Sequence, residues 1–329
     1  MSKHRFIAPM ALVFWLAPPV ALAERSAQEW LAYMSRAMQE TTYSGTFVYR
    51  YGDRIEAMRI ARRVGSSGVR ERLITLNGRH REILRDGNQV TGIFADQDAV
   101  VVDRRQARNP LTDLVPDSPS GLNERYELDV AGESRVADRD AVWLRIRPRD
   151  GYRYGYQMAI DRRTGLLLAA NLVGDDGDRP IEQILFTTIE TRENIPDSEL
   201  QQNITGDGFI WRRRDTDTAK TVEMGESGDW EAGSVPDGFQ VSMRQKHQLP
   251  GRDVMVEHWL YTDGLATVSV YIEKTGTGVG AFHGRSRMGA LNVYGRTLGR
   301  YQVVVVGEVP PITVESIGRS IQRRDGVER

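Results

Sequence analysis

Residues 143–190, WLRIRPRDGYRYGYQMAIDRRTGLLLAANLVGDDGDRPIEQILFTTIE, constrain the fold more than any other stretch. They read as four short strands separated by tight turns, with almost nothing left over for a helix. Tyr152, Tyr154, Tyr156, Met158 and Ile160 fall on one side of a ribbon of period two, and Arg153, Gly155, Gln157, Ala159 and Asp161 fall on the other. A ribbon with one aromatic and apolar face must cover that face with a helix, a second sheet or a ligand.

The chain of 329 residues has room for roughly two domains of about 150 residues each. Its first 23 residues stand apart from the fold. Lys3, His4 and Arg5 precede an apolar run over 6–20, and Ala21-Leu22-Ala23 completes the small-x-small pattern of a cleavable secretory signal. The other reading, an uncleaved anchor, suffers because the run falls short of the about 20 residues that a spanning helix needs. The chain has no cysteine, which removes disulfides, thiolate chemistry and thiolate-bound zinc. Without Lys3 and Arg5, 42 basic residues face 45 acidic ones, a net charge of −3 that argues against general nucleic-acid binding.

Along the mature chain, Ser26 and Glu29 form a capping-box pattern, followed by Trp30, Leu31, Met34 and Met38 at helical spacing. From Tyr43 the period becomes two. Strands over 42–51 and 54–62 flank Gly52-Asp53, and strands over 69–76 and 79–85 flank Asn77-Gly78, a strong hairpin signal. Further strands fall over 89–94, 99–102, 122–130 and 141–147, with a proline-punctuated loop at 109–120. Residues 24–200 therefore read as one helix and one large, bent antiparallel sheet of about ten strands. Residues 201–229 are polar and lack periodicity, as expected of an interdomain linker. Residues 230–329 form a smaller unit, with four or five strands interrupted at 276–280 and at Gly295–Gly299, then a helix after Pro310-Pro311. The fold class is α+β and mostly antiparallel β.

No catalytic constellation emerges. The five histidines lack metal-ligand spacing, with His247 and His258 on separate strands. The run Asp175-Asp176-Gly177-Asp178 lacks the glutamate that a calcium loop carries at its twelfth position. Gly276, Gly278 and Gly280 are followed by no lysine–serine pair, so they do not make a nucleotide loop. No cofactor is called for. What stands out is the apolar load on the sheet, which either fills a core under the Trp30 helix or lines a cavity for acyl chains.

The order of elements and the segment YRYGYQMAIDRRTGLLLAANL resemble the lipoprotein-carrier fold of LolA and LolB. The phrases WLYTDGLATVSVYIE and YQVVVVGEVPPITVESIGRSI, in a second domain that the carriers lack, are similar to the RseB/MucB family of periplasmic regulators of the envelope-stress sigma factor. The resemblance covers essentially the whole mature chain. It implies an unclosed half-barrel plugged by helices, and a second domain that helps to bind the periplasmic part of a transmembrane anti-sigma factor. Binding would shield that partner from a regulated protease, and lipopolysaccharide or another acylated ligand would release it.

On this reading acyl chains would contact Trp143, Tyr152, Tyr154, Tyr156 and Met158, with anionic headgroups at Arg104, Arg105 and Arg108. Phe239, Trp259 and Tyr261 would anchor the protein partner. A lipid carrier without a signalling role and an enzyme with an unrecognised site stay open as rivals, as does self-association. A carrier needs no second domain, so residues 230–329 favour the regulator.

Overall fold

A computed structural model describes residues 25–87, 89–94, 99–103, 111, 121–174, 179–203, 210–214, 222–223, 229–248, 254–275 and 281–324, with backbone alone at 99–103, 210–214 and 222–223. The signal segment, Arg104, Arg105 and Arg108, the acidic run at 175–178 and the glycines at 276–280 lie outside the described residues.

The capping box forms as its sequence requires. In α1 (Ala27–Glu40) the Glu29 N–H donates to Ser26 Oγ at 3.3 Å, and the Ser26 N–H donates to the Glu29 carboxylate at 2.7 Å. The Ser26 N–H and the Ser26 hydroxyl, both donating to it, hold the Glu29 carboxyl below its usual range. The apolar stripe of α1, Trp30, Leu31, Met34, Ala37 and Met38, is buried on the sheet. Its last turn is tied there by the Leu167 N–H, 3.5 Å from Met38 Sδ, and its middle by Tyr33, whose hydroxyl donates to the Arg163 carbonyl at 2.7 Å.

Six strands follow in meander order: β1 (Tyr43–Tyr51), β2 (Arg54–Gly65), β3 (Gly68–Thr75), β4 (Arg81–Asp86), β5 (Gln89–Phe94) and β6 (Ala99–Asp103). The Asn77-Gly78 hairpin is present but wider than a two-residue turn. Asn77 reaches back to β2 instead, accepting from the Ala57 N–H at 2.6 Å and donating to the Ile55 carbonyl at 3.1 Å. A second meander comprises β7 (Tyr126–Val136), β8 (Arg139–Pro148), β9 (Gly155–Asp161), β10 (Leu167–Val173) and β11 (Pro180–Thr191). Antiparallel pairing of β1 with β11 fuses both meanders into one sheet. Bulges at Thr46/Phe47, Val130/Gly132, Leu167/Ala169 and Leu172/Val173 bend it.

The resulting half-barrel is unclosed, and its interior is filled. Leu31, Met34, Tyr43, Phe47, Ile60, Leu73, Met158 and Phe186 share one buried cluster, with the Phe47 and Phe186 rings 5.2 Å apart. Two ion pairs are buried on β2–β4: Arg62–Glu71 at 2.9 Å and Arg72–Glu82 at 3.1 Å. Arg62 also donates to Gln39 at the end of α1. Arg72 lies under the segment that leaves β11, which includes α2 (Asp197–Leu200), and Asn203 N donates to Glu82 at 3.2 Å.

The stretch expected to be a linker contributes a strand to each sheet. β12 (Ile210–Arg214) adds parallel to β6, making a sheet of twelve, and β13 (Val222–Glu223) pairs with the second sheet. That second sheet has seven strands rather than four or five. With β13 it contains β15 (Gln240–Gln248), β16 (Met255–Thr262), β17 (Thr267–Lys274), β18 (Gly284–Met288), β19 (Leu291–Leu298) and β20 (Tyr301–Gly307), while β14 (Trp230–Ala232) pairs with β21 (Ile321–Arg323). Gly295, expected in a turn, lies inside β19, because Phe282 packs where its side chain would be, 2.2 Å from a Cβ placed there. Pro311 opens α3 (Pro311–Ser320), which buries Val314 and Ile317 against β19 and β20.

Candidate functional site at the junction of the two domains

The period-two ribbon with which the sequence is most informative does not run straight through. β8 stops at Pro148, and residues 149–154 form a turn before β9 begins at Gly155. The Asp150 carboxylate accepts from the Tyr152 N–H at 3.0 Å, which sets the turn. Arg153, on the side of the ribbon opposite the tyrosines, is fully buried. Its Nε donates to Asp263 Oδ2 at 2.6 Å, and its other nitrogens reach the Asp150 carboxylate and the Asp237 carbonyl. The guanidinium lies over the Phe239 ring, 4.9 Å from its centre.

Asp263 sits in the turn between β16 and β17, and each carboxylate oxygen has its own task. Oδ1 caps the turn, accepting from the Leu265 N–H at 2.9 Å and the Ala266 N–H at 2.7 Å. Oδ2 takes Arg153 and also the Tyr126 hydroxyl at 2.8 Å. Burial, then the negative charge of Asp263, raises the Tyr126 phenol well above its ordinary value, so it acts as a donor. Burial works against the Arg153 charge, but the bonds to Asp263 and Asp150 outweigh it and raise the guanidinium further.

Three more contacts join the domains. Tyr154 Oη accepts from Asn292 Nδ2 at 3.0 Å, and Thr313 Oγ1 donates to the Tyr152 carbonyl at 2.7 Å. The Ala290 N–H donates to Glu182 at 3.1 Å, and Glu182 also accepts from the Tyr49 hydroxyl at 2.7 Å. Burial, then Glu182, raises the Tyr49 phenol. Leu265 and Ala290, both on turns of the second domain, belong to the apolar cluster of the first.

The expected site residues therefore separate into three groups. Tyr156 and Met158 lie on β9 and are buried in the half-barrel core, with Met158 opposite Leu144 and Ala170. Trp143 is only partly buried and packs against that cluster. It pairs with Ala159, one residue out of phase with Leu144, and its Nε1 donates to Ser134 Oγ at 2.7 Å. Tyr152 and Tyr154 belong to the domain junction.

Phe239, Trp259 and Tyr261, read as surface anchors, are core residues of the second domain. Trp259 lies under the Arg244 guanidinium at 4.0 Å and donates to Glu257 at 2.9 Å, while burial pushes the Tyr261 phenol up to about 12. They are interior because they share one apolar cluster with Val268, Val270, Val303 and Val305 of the neighbouring strands and Val314 of α3. Arg153, Asp263, Tyr126, Asn292 and Glu182 were not foreseen, since nothing local in the sequence links them. His247 and His258 lie on neighbouring strands with ring centres 6.1 Å apart. Among the described residues no group of three or more His, Asp or Glu is placed to hold a metal ion, and no helix is long and apolar enough to cross a membrane.

The arrangement joins two domains through polar and apolar contacts, with no catalytic grouping among them. Comparison with known proteins gives that arrangement a setting. A model of the MucB/RseB N-terminal domain matches residues 26–204, and one of the MucB/RseB C-terminal domain matches residues 224–322. The chain is similar to the sigma factor AlgU regulatory protein MucB of Pseudomonas aeruginosa, with 34% identity over 90% of each chain. It is 24% identical to the sigma-E factor regulatory protein RseB of Haemophilus influenzae over 96% of this chain and 97% of the relative. Among solved structures, MucB in complex with MucA(peri) matches with a TM-score of 0.68 at 30% identity, covering 91% of this chain and 100% of that one. The Pseudomonas aeruginosa MucA/MucB complex matches at 0.70 and 29% identity, covering 91% and 99%. With both of its sheets accounted for by these matches, the chain belongs to the MucB/RseB family.

Proposed function

We propose that the chain acts in the periplasm as a negative regulator of an envelope-stress sigma factor. It binds the periplasmic segment of a transmembrane anti-sigma factor and shields that segment from regulated proteolysis. The carrying observation is the end-to-end similarity to MucB, at 34% identity through both domains, together with the fold match to MucB bound to MucA(peri). The role is binding rather than catalysis.

An acylated ligand, lipopolysaccharide among them, is the releasing signal in this proposal. Its chains contact Tyr156 and Met158 in the half-barrel, with Trp143, Tyr152 and Tyr154 toward the margins and Arg104, Arg105 and Arg108 meeting the anionic headgroup. Phe239, Trp259 and Tyr261 support the partner surface from within the second domain, Trp259 through the Arg244 guanidinium that rests on it and Phe239 through the buried Arg153 at the domain junction. A ligand releases a partner only if it prefers a state that the partner does not.

The test is calorimetric titration of residues 24–329 with the periplasmic segment of the anti-sigma factor from the same genome, before and after added lipopolysaccharide. Binding that lipopolysaccharide weakens supports the proposal, and absence of binding refutes it. Binding that lipopolysaccharide leaves unchanged removes the releasing signal alone. Sedimentation of the same samples reads self-association.

A further inference from the structure

Two turns of the second domain close one end of the half-barrel. The turn between β16 and β17 places Leu265 in the first domain's apolar cluster, at 7% exposure, and its Asp263 takes the Tyr126 hydroxyl. A Cβ on Gly264 would stand 3.4 Å from Leu122. The turn between β18 and β19 places Ala290 there with no exposure at all, held by Glu182. The ion pair of Arg153 and Asp263 lies beside the first turn, with both side chains fully buried.

We infer that the second domain is a built-in stopper for the acyl site, and that the Arg153–Asp263 pair is the latch that keeps it seated. The inference rests on the acyl-ligand reading above. The apolar interior is filled, so a chain can enter only if something withdraws, and Leu265 and Ala290 belong to a separate domain that can withdraw as a unit. A buried ion pair suits a latch because its attraction and its desolvation cost nearly cancel. When the domains part, both charges return to water together and neither is stranded. The seated and withdrawn states can therefore lie close in free energy, where a ligand is able to shift them. Apparent ligand affinity is then the intrinsic affinity reduced by the fraction of molecules that are open.

Asp263→Asn targets the latch alone. Its Oδ1 still caps the turn at Leu265 and Ala266, while its amide turns a donor toward two donors, Arg153 Nε and Tyr126 Oη. The opposite change is a covalent lock. The chain has no cysteine, and a Cβ on Gly289 would stand 3.9 Å from Tyr51 Cβ across the junction, within the range of about 3.5–4.5 Å for a disulfide. Gly289 has φ +62°, so the new side chain carries some backbone strain, and the reduced form of the same protein controls for it.

The experiment measures binding of a fluorescent long-chain fatty acid to residues 24–329, to Asp263→Asn, and to Tyr51→Cys/Gly289→Cys oxidised and then reduced. Asp263→Asn is expected to bind about tenfold more tightly than the parent, and the oxidised lock at least about tenfold more weakly than its reduced form. Equal binding by the oxidised and reduced lock overturns the stopper. Amide exchange at Leu122–Glu124 and Tyr126, read on the same samples, separates the remaining outcomes. Faster exchange in Asp263→Asn with no probe bound to any form sinks the acyl-ligand reading and the stopper with it. Unchanged exchange in that variant overturns the latch.

Discussion

Arg153 Nε and Asp263 Oδ2 lie 2.6 Å apart, joined across 110 residues of chain with neither side chain exposed. The pair decides which turn of one domain meets which loop of the other. Replacing Arg153 strands the Asp263 charge, at a cost of about 3–5 kcal/mol, and replacing Asp263 leaves Arg153 with Asp150 as its remaining carboxylate, whereas replacing both members with apolar residues is often close to neutral. Arg153→Ala and Asp263→Ala are each expected to separate the unfolding of the two domains in urea, while Arg153→Met/Asp263→Leu recovers most of the loss. Single variants as stable as the parent would show that the pair does not couple the domains.

Helix α1 is fastened chiefly by its apolar stripe. Leu31 and Met34 are fully buried in the half-barrel core. Met34→Ala is expected to cost about 2–5 kcal/mol in equilibrium unfolding, since the sheet beneath cannot collapse into the space left. Loss of the exposed cap in Ser26→Ala should cost only about 1 kcal/mol.

Asp161 is the group whose ionisation most clearly marks the fold. Burial works to raise its carboxyl, but bonds from Thr164 N, Arg139 and Arg163 N outweigh that and hold it below 3.8. A carboxyl lowered in the folded state stabilises fully above its unfolded value and loses that contribution as pH falls through the folded one. Asp161→Asn keeps an oxygen for the two backbone donors and loses the ion pair with Arg139, which stands at 2.8 Å. The variant should be about 1–3 kcal/mol less stable than the parent at neutral pH. That gap should shrink as pH drops below 3.8, which chemical denaturation at a series of pH values would show.

Gly318 lets α3 approach its sheet. A Cβ there would stand 2.5 Å from the Tyr294 ring and 3.2 Å from Val305. Gly318→Ala is expected to destabilise the second domain by about 1–3 kcal/mol despite alanine's better helix propensity. A thermal midpoint equal to or above the parent's would show that Tyr294 yields freely.

The elements that a short window specifies were legible. The Ser26–Glu29 capping box, the period-two meanders and the turn at Gly52-Asp53 all lie where the residues place them. Features that depend on distant partners were not. Arg153 alternates with tyrosines and falls on the side opposite them, and its burial is made tolerable by Asp263, far along the chain, together with Asp150 beside it. The aromatic anchors of the second domain carry no mark that distinguishes a surface side chain from a core one, because that depends on which distant strands and helix share their cluster. The last residues of β19 fall within the turn expected at Gly295–Gly299, because Gly295 is explained only by Phe282. β12 lacks alternation and pairs in parallel at an open edge, where local pattern says little.

The central claim is that this chain shields an anti-sigma factor until an acylated ligand frees it. The direct measurement reconstitutes that membrane-spanning partner with its first protease in vesicles and follows cleavage with and without residues 24–329. The account predicts that the chain slows cleavage and that added lipopolysaccharide restores the rate. Cleavage that proceeds equally fast in the presence of the chain would contradict it.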